Sequence, residues 1–275
     1  MPALQRADLL ALAGADAGTF AHAQFTSDVT SLAPGTWQWS AWLDPQGRTR
    51  ACFLLMRPSP GDYLAWLPLG GAEALRDALA RFVLRARVTL ECPPGWMLHQ
   101  LDPAQVPLPA AHRLLPHEGG WLLALPGAPP RLAWLAPGAA PTDPAALARW
   151  RREDVAAALP LLAPECSGEF VPQALGLESL DAIRFDKGCY PGQEIAARLH
   201  FRGGNKRHAV RVQLDAIASP GTPLQAPDGR IIGTLLYAAA SGSDDAAALG
   251  LAILSEPVGR TPLQLASGGE ARPLA

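Results

Sequence analysis

At 275 residues, with 49% hydrophobic and 17% charged side chains, the chain can bury a substantial core, and its length suggests two or three structural units. The composition is that of a soluble globular protein and excludes a disordered one. A formal net charge of −2 supplies no global field to recruit nucleic acid or an anionic membrane, so anion binding needs a local patch.

Residues 6–30 read as two short helices. Asp8, Leu9, Leu10 and Leu12 start an amphipathic turn that stops at Gly14, and Asp16 is placed to cap a second helix carrying Phe20 and Phe25. Ala21-His22-Ala23 mimics a leader cleavage site, but Asp8 and Asp16 interrupt the apolar stretch, so the segment reads as folded chain. From Thr36 the period shifts to two. Trp37, Trp39 and Ala41 alternate with polar positions, Asp44-Pro45-Gln46-Gly47 turns the chain, and residues 49–57 return as a second strand. Residues 63–67 predict a third strand, 73–83 a helix with Leu75, Leu79 and Phe82 on one face, and 86–91 a further strand. Strands and helices in this order suggest an α+β unit with an antiparallel sheet.

Residues 102–144 are rich in Pro and Gly, with Trp121-Leu122-Leu123 and Leu132-Ala133-Trp134-Leu135 as short strands between turns. Asp143 as N-cap and Pro144 at the first helical position then open a helix to about residue 158. After Lys206 come Asp-Gly turns and alternating strands at 208–214, 230–237, 247–254 and 261–266, which predict a small antiparallel barrel. Gly242-Ser243-Asp244-Asp245 reads as a mobile hairpin tip. No uninterrupted apolar run approaches ~18 residues, so no transmembrane helix is expected.

Cys52, Cys92, Cys166 and Cys189 are far apart and form no Cys-x-x-Cys pair, which argues against a zinc site or a cluster-ligating run. Reduced thiols in the cytoplasm are the expectation. His99, His112 and His117 lack acidic partners at ligand spacing, no phosphate-loop or dinucleotide glycine pattern is present, and Ser167 lacks the Gly-x-Ser-x-Gly frame.

The stretch densest in chemistry is Lys187-Gly188-Cys189-Tyr190-Pro191-Gly192-Gln193-Glu194. Pro191 presets φ and Gly192 supplies the positive φ of a type II turn, which would hold Cys189 on a rigid protrusion. Lys187 beside it would favour the thiolate, the reactive form. A buried structural cysteine beside an ordinary turn is the plainer alternative. Lys187 and Glu194 are expected at the surface, partly paired. Downstream, Arg198, Arg202, Lys206, Arg207 and Arg211 place five cations in fourteen residues, which is either a solvated face or an anion site helped by Gly203-Gly204 amides. Among eight tryptophans, Trp37, Trp39 and Trp42 alternate; most are core by default, and one could stack on a flat ligand.

Lys-Gly-Cys-Tyr-x-Gly-Gln-Glu resembles the signature of the YgfZ family of folate-binding proteins, which help maintain iron–sulfur enzymes and are relatives of the aminomethyltransferase (T-protein) of the glycine cleavage system. Glu169-Phe170-Val171-Pro172-Gln173, Leu177 and Ile183-Arg184-Phe185 resemble the family's approach to the signature, and Phe201-Arg202-Gly203-Gly204-Asn205-Lys206-Arg207 its basic tail. Gly14-Ala15-Asp16-Ala17, Gln24-x-Thr26-x-Asp28 and Asp44-Pro45-Gln46-Gly47-Arg48 follow the family's order and rough spacing. The resemblance covers most of the chain and is specific at 169–207.

The resemblance implies an α+β, aminomethyltransferase-like folate-binding fold with a C-terminal antiparallel β-barrel. Residues 1–205 would form the folate-binding region, of two interleaved units with the second at roughly 45–120, and 206–275 the barrel. It implies tetrahydrofolate in a central cavity and Cys189 as the functional thiol, with Lys187, Gly188, Tyr190, Gly192, Gln193 and Glu194 shaping its turn. Arg198, Arg202, Lys206 and Arg207 would be candidates for the folate's glutamate tail or another anion. Partners would be iron–sulfur client enzymes such as those that thiolate tRNA, with no tightly bound metal, no membrane and no strong nucleic-acid binding. The alternatives are a tetrahydrofolate-dependent aminomethyl transferase and a thiol scaffold with no small ligand. Arg50 and Ala51 stand where T-proteins carry a pair of acids, which argues against aminomethyl transfer because its proton traffic needs an acid or base. Residues 154–160 likewise lack the glutamate through which T-proteins contact the pterin.

Overall fold

The computed structural model describes residues 2–240, 247–255, 259 and 261–274. The chain starts with β1 (Gln5–Arg6), β2 (Asp8–Ala13), α1 (Ala17–Gln24), β3 (Thr36–Leu43), β4 (Thr49–Ser59), β5 (Asp62–Leu67), α2 (Ala72–Ala80) and β6 (Thr89–Glu91). Then follow β7 (Trp96–Leu101), β8 (Leu115–His117), β9 (Gly120–Leu125), β10 (Arg131–Pro137), α3 (Pro144–Ala156) and α4 (Gln193–Arg202). The barrel strands are β11 (His208–Leu214), β12 (Pro223–Gln225), β13 (Ile231–Ala240), β14 (Ala248–Leu254), β15 (Leu263–Leu265) and β16 (Glu270–Pro273).

Two five-stranded sheets interleave along the chain, β3-β4-β5-β2-β6 and β1-β7-β10-β9-β8, because β1 and β2 part into different sheets, as do β6 and β7. All recorded strand pairs in both are antiparallel. The last six strands close an antiparallel barrel in the order β11-β14-β13-β12-β15-β16, so the fold is α+β with a C-terminal β-barrel. The largest core lies between the sheets and continues to the barrel, joining Trp39, Trp66, Leu135, Trp150, Phe170 and Tyr237. A second core fills the outer face of the first sheet beneath α1 and α2, and a third fills the barrel.

The α3 helix begins as its residues predict: Asp143 Oδ1 accepts the Ala146 N–H at 3.0 Å, and Pro144 opens the helix. This helix packs on β13 and β14, and a buried ion network fixes it. Asp154, 1% exposed, meets Arg131 at 2.8 Å and Arg151 at 2.9 Å, while Arg131 also lies over the Trp150 ring. Tyr237 reaches back from the barrel to donate to Leu159 O at 2.8 Å.

Several expected elements differ. Residues 8–13 are a strand, not a helical turn, because β2 lies between β5 and β6 and is buried on both faces: Leu9 enters the inter-sheet core while Leu10 and Leu12 enter the outer one. A strand buried on both sides reads as a continuous apolar run, which periodicity cannot tell from a buried helix. Asp16 does not cap α1 with its side chain; its carboxylate accepts from the Arg87 backbone N–H at 2.8 Å and Nε at 3.2 Å. The α2 helix ends at Ala80, so Phe82 lies past it, 45% exposed and edge-on to Trp42. The strand expected at 86–91 is reduced to Thr89–Glu91. The hairpin tip at Gly242-Ser243-Asp244-Asp245 lies outside the described residues.

Candidate functional site

The signature closes a type II turn whose end is the start of a helix. Gln193 N–H donates to Tyr190 O at 3.2 Å, and Gly192 adopts φ 74°, ψ 1° at the N-cap of α4. No other residue fits here. A Cβ on Gly192 would run into Asp44 O and lie 2.7 Å from Gly47 Cα. Gly47, itself at φ 73°, has Ile195 Cβ 2.8 Å from where its own Cβ would stand. The Asp44-Pro-Gln-Gly turn and the signature turn are thus seated glycine against glycine.

Lys187 points inward. Its ammonium donates to three carbonyls, His22 O, Phe25 O and Ser27 O, each at 2.7 Å. Two of these belong to the C-terminal end of α1, where helix carbonyls lack internal donors and the dipole favours a cation. Burial pushes the lysine down to about 8, against a smaller upward pull from Asp28. The expected Lys187–Glu194 surface pairing does not form, since Glu194 pairs with Arg198 at 3.3 Å along α4. Its three donors are taken by α1 and the loop after it. Its Nζ also lies 5.2 Å from the centre of the Tyr190 ring. Tyr190 is 5% exposed, donates to Arg184 O at 3.0 Å, and burial raises its hydroxyl above the ordinary tyrosine value.

The strap between residues 182–187 and 22–28 continues beyond the lysine. Thr26 Oγ1 donates to Ala182 O at 2.6 Å and accepts from Ala41 N–H, while Arg184 N–H donates to Thr26 O. Asp28 folds its loop by accepting from Thr30 and Ser31, which hold its carboxyl below the usual range, and it stands 3.4 Å from His22 Nδ1. Burial, then the nearby Lys187 charge, lowers the His22 ring below the ordinary histidine value. The other ring nitrogen, Nε2, faces Gly188, 3.8 Å from where a Cβ would be.

Against this inward framework Cys189 is exposed. It shares the wall of an open cavity of about 640 Å³ with Pro45, Lys187, Gln193 and Glu194. The other three cysteines are free too, but Cys52 and Cys166 are buried, and burial pushes both thiols up to about 12.

A second cavity, about 380 Å³, opens between the two sheets. Trp37 and Trp39 of β3, Leu125 of β9, His112 and Asp181 are on its wall. The indoles meet edge to face at 6.2 Å, and His112 lies 4.7 Å from Trp37. Trp37 is 3% exposed, yet its Nε1–H has no acceptor among the described residues. His112 and Asp181 are also two of the four described non-glycine residues at positive φ, 60° and 52°. Such backbone strain concentrates at binding and catalytic sites.

A third hollow of about 380 Å³ neighbours the first two, sharing Asp181 with the tryptophan cavity and Phe185 with the thiol cavity. Phe185 stacks on His200 at 4.5 Å, and His200 pairs with Glu178 at 3.0 Å. The basic residues do not converge here. Arg198 is paired with Glu194, Arg207 sits over Phe170 at 5.9 Å, Arg202 and Lys206 are exposed, and none lines the three cavities. His112, Asp181 and His22 carry no sequence signal of their own; only the fold places them at these cavities.

No helix among the described residues is long and apolar enough to cross a membrane, and these residues hold no metal-type cluster of His, Cys, Asp and Glu.

No family model matches the chain. It is similar to an uncharacterized protein of Haemophilus influenzae, 30% identical over 226 residues that span 81% of this chain and 77% of that one. It is also similar to the tRNA-modifying protein YgfZ of Serratia proteamaculans, 51% identical over 59 residues, which are 22% of this chain and 18% of the relative. In fold it is similar to the glycine cleavage system aminomethyltransferase T of Bartonella henselae, with a TM-score of 0.66 at 15% identity over 98% of this chain and 82% of that one.

Proposed function

The chain belongs to the YgfZ family and has the aminomethyltransferase fold, and from that premise we propose that it binds a reduced folate and assists assembly or repair of iron–sulfur clusters through Cys189. The observation that carries this reading is the set of three neighbouring hollows, the Trp37–Trp39 cavity sharing Asp181 with the next and that one sharing Phe185 with the cavity of the exposed thiol. A pterin fits the tryptophan cavity chemically. Its ring can lie against Trp37, Trp39 and His112, its carbonyl can accept from the Trp37 N–H, and its amino-pyrimidinone edge can donate to Asp181. Tetrahydrofolate would supply one-carbon chemistry when bound. The chain's own residues supply the pocket, the acceptor at Asp181, and a thiol that can ligate or exchange. Client enzymes that carry clusters, among them tRNA-thiolating enzymes, would be the partners, in the cytoplasm, where four unpaired thiols persist.

A second reading, one-carbon transfer to or from tetrahydrofolate, draws on Asp181 as the acid on that cavity's wall. Titration with tetrahydrofolate, read by tryptophan quenching, tests the pocket: Asp181→Asn should weaken binding tenfold or more, about 1.4 kcal/mol. Rescue of a tRNA-thiolating enzyme in a strain deleted for the native counterpart tests the thiol. Rescue by the intact protein and not by Cys189→Ala supports cluster maintenance; equal rescue by both demotes the thiol; failure of both, with folded protein, returns the transferase reading to first place.

A further inference from the structure

The most exposed large apolar side chain among the described residues lies in a loop that lines none of the three cavities above. Leu84 is 86% exposed, and Phe82 beside it is 45% exposed. Both belong to the 81–88 segment between α2 and β6, which carries Arg81, Arg85 and Arg87 and has no acid from residue 78 to residue 90. The segment is held at both ends. Phe82 N–H donates to Leu79 O at 2.9 Å and Val83 N–H to Ala80 O at 3.2 Å, which carries the last turn of α2 forward. The Phe82 ring stands edge-on to Trp42 at 6.4 Å, and Val83 and Ala86 pack on the outer core. At the other end Asp16 N–H donates to Arg87 O at 3.2 Å, while the Asp16 carboxylate takes the Arg87 N–H and side chain. Gly14, at φ 124°, permits that approach, since a Cβ there would collide with Arg87 O.

What this fixed loop presents to solvent is Leu84 between Arg81 and Arg85. Both arginines are exposed, and among the described residues no carboxylate pairs with either. Asp77 is taken by Arg76 at 2.8 Å, Asp16 is taken by Arg87, and Glu91 lies at the far end of β6. A solitary exposed leucine needs no explanation. A leucine held on a clamped platform between two unpaired cations is a pattern of shape and charge that a partner can read, and its rigidity lowers the ordering cost of contact.

We infer that the 81–85 knob docks on a partner protein, Leu84 entering an apolar cleft whose rim carries Asp or Glu side chains that pair with Arg81 and Arg85. A convex knob fits a groove and not a small ligand. An apolar anchor ringed by charge is the anatomy of protein interfaces, and arginine–carboxylate pairs at the rim give the contact direction. A bilayer is the poorer occupant. A single myristoyl chain holds a protein to a membrane only marginally, and one leucine with half a phenylalanine offers far less apolar surface. The inference stands apart from the folate and thiol readings and does not rest on either.

The test places the photocrosslinker p-benzoylphenylalanine at position 84 of the full-length protein in growing cells. The same group at position 217, where Ile217 is 62% exposed, is the control. Light should give a dominant adduct from position 84 that position 217 does not give, and the captured peptide should carry at least two Asp or Glu side chains. Arg81→Glu with Arg85→Glu should lower the yield tenfold or more, while Arg81→Lys with Arg85→Lys should keep most of it. The replaced side chains face solvent, so folding is unaffected. Exchanging the captured acids for Lys in the partner should restore the adduct to the doubly reversed chain. No adduct beyond the control, a yield indifferent to charge reversal, a captured peptide without acids, or failure of the exchange would each overturn the proposal. So would co-sedimentation with phosphatidylglycerol vesicles that Arg81→Glu with Arg85→Glu abolishes, which would assign the loop to lipid.

Discussion

Replacing Lys187 by Met tests whether the signature lysine is a structural strut. Met keeps the length of the apolar stem and removes the ammonium. Three carbonyls, His22 O, Phe25 O and Ser27 O, then lose donors at 2.7 Å. Leaving a buried acceptor unsatisfied costs about 1–3 kcal/mol. The lysine is only partly buried, so water reaches some of them, and the losses are not additive. We therefore expect about 2–4 kcal/mol at pH 7, read as a lower urea midpoint with an unchanged slope.

The pH dependence gives the experiment a second axis. Burial places the folded lysine near 8, below the 10.5 of an unhindered one. Between those values the unfolded chain holds more of this proton than the folded chain, so wild-type stability rises with pH across roughly 8 to 10.5 and carries the full cost below 8. After discounting for solvent at a group this open, the gain is about 1–2 kcal/mol, and Lys187→Met should lack it. The gap between the two proteins should then widen as pH rises. A variant within ~0.5 kcal/mol of wild type at pH 7 would refute the strut, because no buried hydrogen-bonded group is removed that cheaply. A gap that narrows with pH would refute the direction of the shift.

Gly192→Ala should cost about 2–4 kcal/mol in thermal or urea unfolding, through its left-handed backbone and its collision with the Asp44–Gly47 turn. Wild-type stability from the substituted protein would separate the two turns. In timed alkylation with iodoacetamide at pH 7.5 followed by mass spectrometry, Cys189 should be labelled first and Cys52 and Cys166 last, since both are buried with thiols pushed up to about 12. Early labelling of Cys166 would mean the barrel contact at Leu235 O opens readily. Asp154→Asn leaves Arg131 and Arg151 without their shared carboxylate at a 1%-exposed position and should cost about 3–5 kcal/mol, whereas a loss below ~1 kcal/mol would show that water repairs the site.

What the residues alone revealed follows from the range over which each signal acts. The Pro191-Gly192 step, the Asp143-Pro144 helix start and the alternation of Trp37, Trp39 and Ala41 are local, and the structure has a turn, a helix and a strand at those places. The α4 helix was hidden because its start coincides with a turn signal: Gly192 ends the turn and caps the helix with the same positive φ. The two glycine turns were each visible, but not that they touch, since Gly47 and Gly192 meet only when β4 and α4 are placed.

The misreading of Lys187 shows the same limit in chemical form. Beside Cys189 in sequence, it invites a local electrostatic role. Its acceptors lie some 160 positions earlier, at the end of a helix whose carbonyls no sequence pattern advertises as open. Once that is seen, the division of labour in the signature changes. Lys187 and Tyr190 hold the segment onto α1 and the 22–28 loop, Gly192 seats it against the Asp44 turn, and the thiol is what remains facing outward. Cys189 is left exposed on the wall of an open cavity. An outward-facing thiol on a turn held from behind suits the proposed contact with a partner.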